Sequence, residues 1–192
     1  MIRTLLVQTI IIIITSRSAI ANDFSHDGIR VDFPSGYAER KITHLEDITT
    51  YQLTRGYGSG SPQEVIEVFI HIRDISNETK TQARIKEKGA AYEAEICLAV
   101  AARVVFPFPE FRIVKDLQPI NISGNKAVTA TVAYAASYAA SRWVSGTVND
   151  TTYCTVQKTR EIEFKVLALP DAPVELLSST LKAIEDANIQ EP

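Results

Sequence analysis

Between residues 152 and 169 the chain alternates in character. Cys154, Val156, Ile162, Phe164, Val166 and Ala168 share one parity, and Glu161, Glu163 and Lys165 hold the other. A period of two is the side-chain period of a β-strand, so this run reads as one long strand with an apolar face. Such a face has to be buried, which demands a sheet with further elements packed on it. A second run, residues 126–138, puts Val128, Ala130, Val132, Tyr134 and Tyr138 on one side and Thr129, Thr131, Ala133 and Ser137 on the other. Apart from Lys126 at its start, neither side is charged, and cover on both faces is implied.

The remaining elements fit around these strands. Residues 27–33 alternate through Ile29, Val31 and Phe33 and end at the Pro34-Ser35-Gly36 turn. Residues 48–54 and 64–73 read as a hairpin, with Ile66, Val68, Ile70 and Ile72 on one face, joined by the glycine-rich loop Gly56-Tyr57-Gly58-Ser59-Gly60-Ser61-Pro62. The period then changes. Thr79-Lys80-Thr81-Gln82 fits a capping box and no proline follows until Pro107, so the pattern predicts one long helix over 79–105. Its first half is charged, whereas from Ile96 to Val105 only Arg103 is, which predicts a buried second half. Phe106-Pro107-Phe108-Pro109 stops the helix, because proline lacks the amide donor and disfavours a helical predecessor. A strand over 110–117 and a turn at Ser123-Gly124-Asn125 lead into the 126–138 run. The final helix spans about 172–187, with Asp171 as N-cap, Pro173 in the first turn, and Val174, Leu177, Leu181 and Ile184 as its apolar stripe. This order predicts an α+β fold: a mainly antiparallel sheet flanked by one long central helix and a C-terminal helix, in a single domain of residues 22–192.

Residues 1–21 read as a signal peptide rather than part of that domain. Arg3 supplies the positive start, residues 4–14 an apolar core too short to span a bilayer, and Ser18-Ala19-Ile20-Ala21 the small-x-small ending of a cleavage site. Cleavage is expected after Ala21, leaving a soluble periplasmic or secreted protein with no stable membrane insertion. The leader holds two of the 20 basic residues and none of the 23 acidic ones, so the remainder carries a charge near −5. That argues against a nucleic-acid partner.

Two cysteines remain, Cys97 in the buried half of the long helix and Cys154 on the apolar parity of the last strand run. Export makes a disulfide between them the expected state, stapling helix to sheet; two separate buried thiols are the alternative. The three histidines, His26, His44 and His71, lack the spacing of a metal set, so neither a metal nor a cofactor is expected. His71 reads as an ordinary surface or subunit-contact histidine. The glycine-rich loop precedes a strand instead of opening a helix, so it is no phosphate cradle. It is a hairpin tip at which Arg55 and Tyr57 could meet a protein partner. Phe106 and Phe108, rigidified by two prolines, form either an exposed contact surface or a connection folded onto the core. No motif designates a catalytic residue.

The opening G-I-R-V-D-F-P-S-G-Y (residues 28–37), the turn and strand G-N-K-A-V (124–128) and the ending A-P-V-E-L-L (172–177) resemble the PsbP-like superfamily. That group contains extrinsic photosystem subunits, the Mog Ran-binding factor and exported DcrB-type bacterial proteins. The resemblance implies an antiparallel sheet sandwiched by helices and a non-catalytic binding or assembly role, and it transfers no functional residue. A cystatin-like or NTF2-like fold is the competing architecture. Export, compactness, acidity and missing catalytic motifs suit an exported non-enzymatic protein-binding module of the bacterial cell envelope, such as an accessory or assembly factor or an immunity-type inhibitor. Two other roles remain open: a carrier of a small apolar ligand held near Tyr92, Ile96 and Tyr134, and an unrecognised hydrolase.

Overall fold

A computed structural model describes residues 23–57, 63–103, 112–135, 138–139, 142–143 and 146–190. Strands β1 (Asp23–His26) and β2 (Ile29–Asp32) form a hairpin whose two-residue turn, Asp27-Gly28, lies at φ 48° and 72°. Asp-Gly is the pair that reaches this left-handed region most easily in a tight hairpin. The single strand expected over 27–33 is therefore a turn followed by the second arm of a hairpin. Strand β3 (Tyr37–Leu45) was not legible as a strand, because Glu39-Arg40-Lys41 interrupts any alternation; it forms one edge of the main sheet, where charge is tolerated. It pairs with β4 (Ile48–Tyr57), which pairs with β5 (Gln63–Asp74).

The helical region is two helices, not one. Helix α1 (Thr79–Lys88) ends at Gly89, whose φ of 90° and ψ of 162° suit glycine and interrupt the helix, and α2 (Ala90–Arg103) starts anew. The N-cap of α1 is Glu78, and Thr79 is its first helical residue. Thr81 Oγ1 donates to the Glu78 carboxylate at 2.7 Å, while Gln82 Nε2 donates to the carbonyls of Ile75 and Lys158, each at 2.9 Å. The expected last residues of the long helix, and Phe106 and Phe108 after it, lie outside the described residues.

Strands β6 (Arg112–Ile122) and β7 (Asn125–Ala135) follow, then the short pair β8 (Tyr138–Ala139) and β9 (Arg142–Trp143), and then β10 (Thr147–Val156) and β11 (Arg160–Ala168). Helix α3 (Val174–Glu185) and β12 (Asn188–Ile189), which pairs with β2, complete the order. The N-cap of α3 is Pro173 and not Asp171, and Val174 stands 73% exposed, outside the stripe that Leu177, Leu181 and Ile184 press onto the core. The main sheet has seven strands in the order β3-β4-β5-β11-β10-β7-β6, with every neighbouring pair antiparallel. The α+β class and the mainly antiparallel sheet hold.

The run over 152–169 is interrupted by a turn at 157–159, closed by Gln157 N–H donating to the Arg160 carbonyl at 2.9 Å. The turn reverses parity. Cys154 stands opposite Glu163 and Tyr153 opposite Phe164, so Cys154 shares a face with the charged residues of β11 and not with Ile162, Phe164 and Val166. Two cores result. On one face Phe24, Val31, Tyr37, Tyr51, Ile70, Tyr153, Phe164 and Ile184 pack beneath the small sheet and α3. On the other, α1 and α2 cover Val128, Cys154 and Val156 with Ile85, Ala94, Cys97 and Leu98. Each buried aliphatic or aromatic side chain contributes about 1.5–3 kcal/mol by leaving water. Tyr37 bonds its hydroxyl to Thr180 of α3 at 2.7 Å, which fastens one layer to the next.

Candidate functional site

Helix α2 packs on β10, β7 and β11. Where that cover ends, a cleft of about 370 Å³ opens over β11 and β5, lined by Ile48, His71, Arg73, Val100, Ala101, Glu161, Glu163 and Lys165. Register explains the lining. Glu161, Glu163 and Lys165 stand opposite Arg73, His71 and Phe69, so period-two alternation delivers a row of ionisable groups to one face of two central strands. The opposite parity of the same strands fills the first core.

The cations of the cleft are already engaged. Arg73 holds Glu161 at 2.9 Å and Glu78 at 3.4 Å. Lys165 holds Asp150 at 3.1 Å, and the Asp150 side chain is only 1% exposed. Burial pushes the Asp150 carboxyl up, and the Lys165 ammonium pulls it back. His71 accepts or donates one bond, from Nδ1 to Thr50 Oγ1 at 2.8 Å, and its ring stacks on Phe69 with centroids 5.9 Å apart. Burial, and then the Lys165 charge, lower its pKa, so the ring is neutral near pH 7.

Glu163 differs from its neighbours. Among the described residues no hydrogen bond or ion pair reaches its carboxyl. Burial pushes its pKa up to about 7, Lys165 opposes the rise, and the Glu161 and Asp150 carboxylates add to it. Because the folded value lies above the ordinary 4.5, the native protein holds the extra proton between about pH 4.5 and 7, and stability falls as pH rises through that window. Glu163→Gln is therefore expected to be more stable than the parent by on the order of 2 kcal/mol at pH 8 and equal to it near pH 4, as urea unfolding at the two pH values would read. An equal difference at both would sink this assignment. His71 works in the opposite sense, since a lowered histidine pKa removes stability as pH falls below about 6.5.

The residues singled out from the sequence fall elsewhere. Arg55 pairs with Ile66 on the face opposite the cleft; its guanidinium donates to the Gly56 carbonyl and lies over Gly36, where an added Cβ would come within 2.7 Å of Arg55 Cζ. The backbone of Tyr57 ends β4, and its side chain, like Phe106 and Phe108, is outside the described residues. Cys97 and Cys154 are joined, with Cα atoms 6.2 Å apart, the pairing expected for the chain's two cysteines. The bond pins α2 to β10 one helical turn before Ala101, at the wall of the cleft. His71, Arg73, Glu161, Glu163 and Lys165 were missed as a group. The available signal was three charges on alternate positions of a run whose other parity is Ile-Phe-Val, which marks a central strand with a polar face that has to be partly covered.

The chain matches no family model and no curated protein. A crystal structure from Bacteroides thetaiotaomicron VPI-5482 at 1.50 Å resolution superposes with a TM-score of 0.43 and 6% identity, over 85% of this chain and 46% of that one. This chain thus spans less than half the length of that neighbour, and a likeness of this size settles neither family nor function.

Proposed function

We propose that the chain is an exported, non-enzymatic binding module of the bacterial cell envelope, cleaved after Ala21 and periplasmic or secreted, with the cleft beside α2 as its binding site. One observation carries the reading: Glu163 sits in a concave surface without a partner while the cations around it are taken. Glu163 is half-buried, so its carboxylate is poorly solvated as well as unpaired, and a ligand or a partner's side chain that pairs with it recovers part of that cost. The export half of the proposal is supported by the leader, by the disulfide and by the fact that no helix among the described residues is long and apolar enough to cross a membrane.

Catalysis is the less favoured reading. Thr50, His71 and Glu163 lie in one cross-strand row, the order of a nucleophile, base and carboxylate, yet no hydrogen bond joins the ring to Glu163, and such a relay needs that orienting contact. An apolar carrier fits poorly as well, because the space between α2 and the sheet is filled and the open part has a charged floor. The PsbP-like resemblance belongs to the same proposal and rests on the turn and core motifs that suggested it.

Expression with the leader in a bacterial host, followed by intact mass measurement of the periplasmic fraction, should give a chain starting at Asn22 with the disulfide formed. Screening small polar fragments by NMR should then move resonances of His71, Glu163 and Val100, and Val100→Trp should abolish those shifts. A chain retained in the cytoplasm with Met1 attached overturns the compartment; shifts confined to other surfaces overturn the site.

A further inference from the structure

Resting on the reading of the cleft as a binding site, we propose that its ligand is an aliphatic amine in the ammonium form, with the charged head against Glu163 and the hydrocarbon part along Ile48, Val100 and Ala101. The groups that face Glu163 define the charge it lacks. From its own strand come Glu161 and Lys165, from β10 Asp150, from β5 His71 and Arg73, and from α2 the uncharged Val100 and Ala101. Lys165 acts on Glu163 but also pairs with Asp150, Arg73 pairs with both Glu161 and Glu78, and the His71 ring is neutral, so the carboxylates of this row outnumber its cations. Among the described residues, an anionic ligand would meet Glu161 and Glu163, while the one unpaired cationic donor beside them, Arg73 Nε, is buried away from the cleft surface.

The surroundings extend the same field. A second depression of about 500 Å³ is lined by Glu46, Asp47, Thr49, Asp74, Asn77 and Glu78; Glu78 is the carboxylate paired with Arg73, and the other three carboxylates have no cation among these lining residues. Such a surface attracts cations to this end of the sheet. The cleft also offers apolar wall: Val100 is 57% exposed, and together with Ile48 and Ala101 it lies beside the charged row. An ammonium group alone would leave that wall wet, whereas a short hydrocarbon chain covers it. Among the described residues no three His, Cys, Asp or Glu side chains converge as a metal set, which favours an organic cation over a bare metal ion.

Ammonium binding stabilises ionised Glu163, so it releases the proton held there below pH 7 and strengthens as pH rises. Calorimetric titration of the mature protein with n-butylammonium, 1,4-diaminobutane and butyrate, at pH 6 and pH 8, reads this directly, with NMR shifts locating each probe. The expected result is amine binding at the cleft that tightens about tenfold from pH 6 to pH 8. Glu163→Gln should weaken it at least tenfold and remove the pH dependence, while Val100→Trp blocks it. Amine affinity unchanged between the two pH values, or unchanged in Glu163→Gln, overturns the proposal. Butyrate binding at the cleft in preference to the amines overturns it too, yet leaves the cleft as a binding site. If no probe perturbs the cleft, both readings fall. Because Glu163→Gln is expected to be the more stable protein at pH 8, loss of binding there cannot be ascribed to unfolding.

Discussion

Removing the Cys97–Cys154 bond should lower the stability of the protein by about 4 kcal/mol and its melting temperature by about 10 °C. The bond closes a loop of 57 residues, and the entropy of that loop in the unfolded chain sets the size of the effect. Both cysteines are buried, so the suitable replacement is the double variant Cys97→Ala/Cys154→Ala, which adds no unpaired hydroxyl. The loss should concentrate in one layer. The core beneath α1 and α2 is small, built on Ile75, Ala94, Leu98, Val128 and Val156, so hydrogen exchange should speed up in α2 before it does in β5 or β11. The cleft would loosen with it, since Cys97 and Ala101 occupy successive turns of one helix face. Thermal unfolding with and without reductant checks the magnitude, and a shift below about 3 °C would mean that packing alone holds α2 in place.

Lys165→Ala should be as costly, by about 3–5 kcal/mol at pH 8, because it strands the Asp150 carboxylate in the interior. The other contacts of that carboxylate are long: Tyr134 Oη at 3.5 Å and Thr152 Oγ1 at 3.3 Å. Neither can replace an ammonium at 3.1 Å. The cost should shrink as pH falls, because a carboxyl raised by burial takes up a proton instead of remaining charged. Lys165→Met/Asp150→Asn should recover most of the loss, since removing both partners leaves no isolated charge. A double-mutant cycle followed by urea unfolding at pH 5 and pH 8 measures all four corners. A loss under about 1 kcal/mol for Lys165→Ala would place Asp150 in contact with water.

These effects trace how far the fold could be read from residues alone. Strands with one apolar parity were legible: Ile66, Val68, Ile70 and Ile72 face the first core, as do Ile162, Phe164 and Val166. Breaks were harder to see. Gly89 sits in a segment with continuous helical pattern, and its backbone angles divide a helix that capping and proline placement describe as whole. The turn at 157–159 carries no glycine or proline, so Cys154 was assigned to the face of Phe164 although it lies on the face of Glu163. The disulfide survived that error because two cysteines have one possible intramolecular pairing, whatever faces they occupy. The cleft could not be found this way. It depends on β5 and β11 being neighbours, a pairing that brings His71 to Glu163 from 92 positions away, and on α2 stopping short of covering them.

The state of the Glu163 side chain underlies both the binding site and the ligand class. Carbon-13 NMR titration of its carboxyl in the ligand-free protein reads that state directly. A midpoint close to 7 is the expected result. A midpoint near 4.5, the value of a carboxyl in water, would contradict it, since a well-solvated Glu163 has no missing partner to bind.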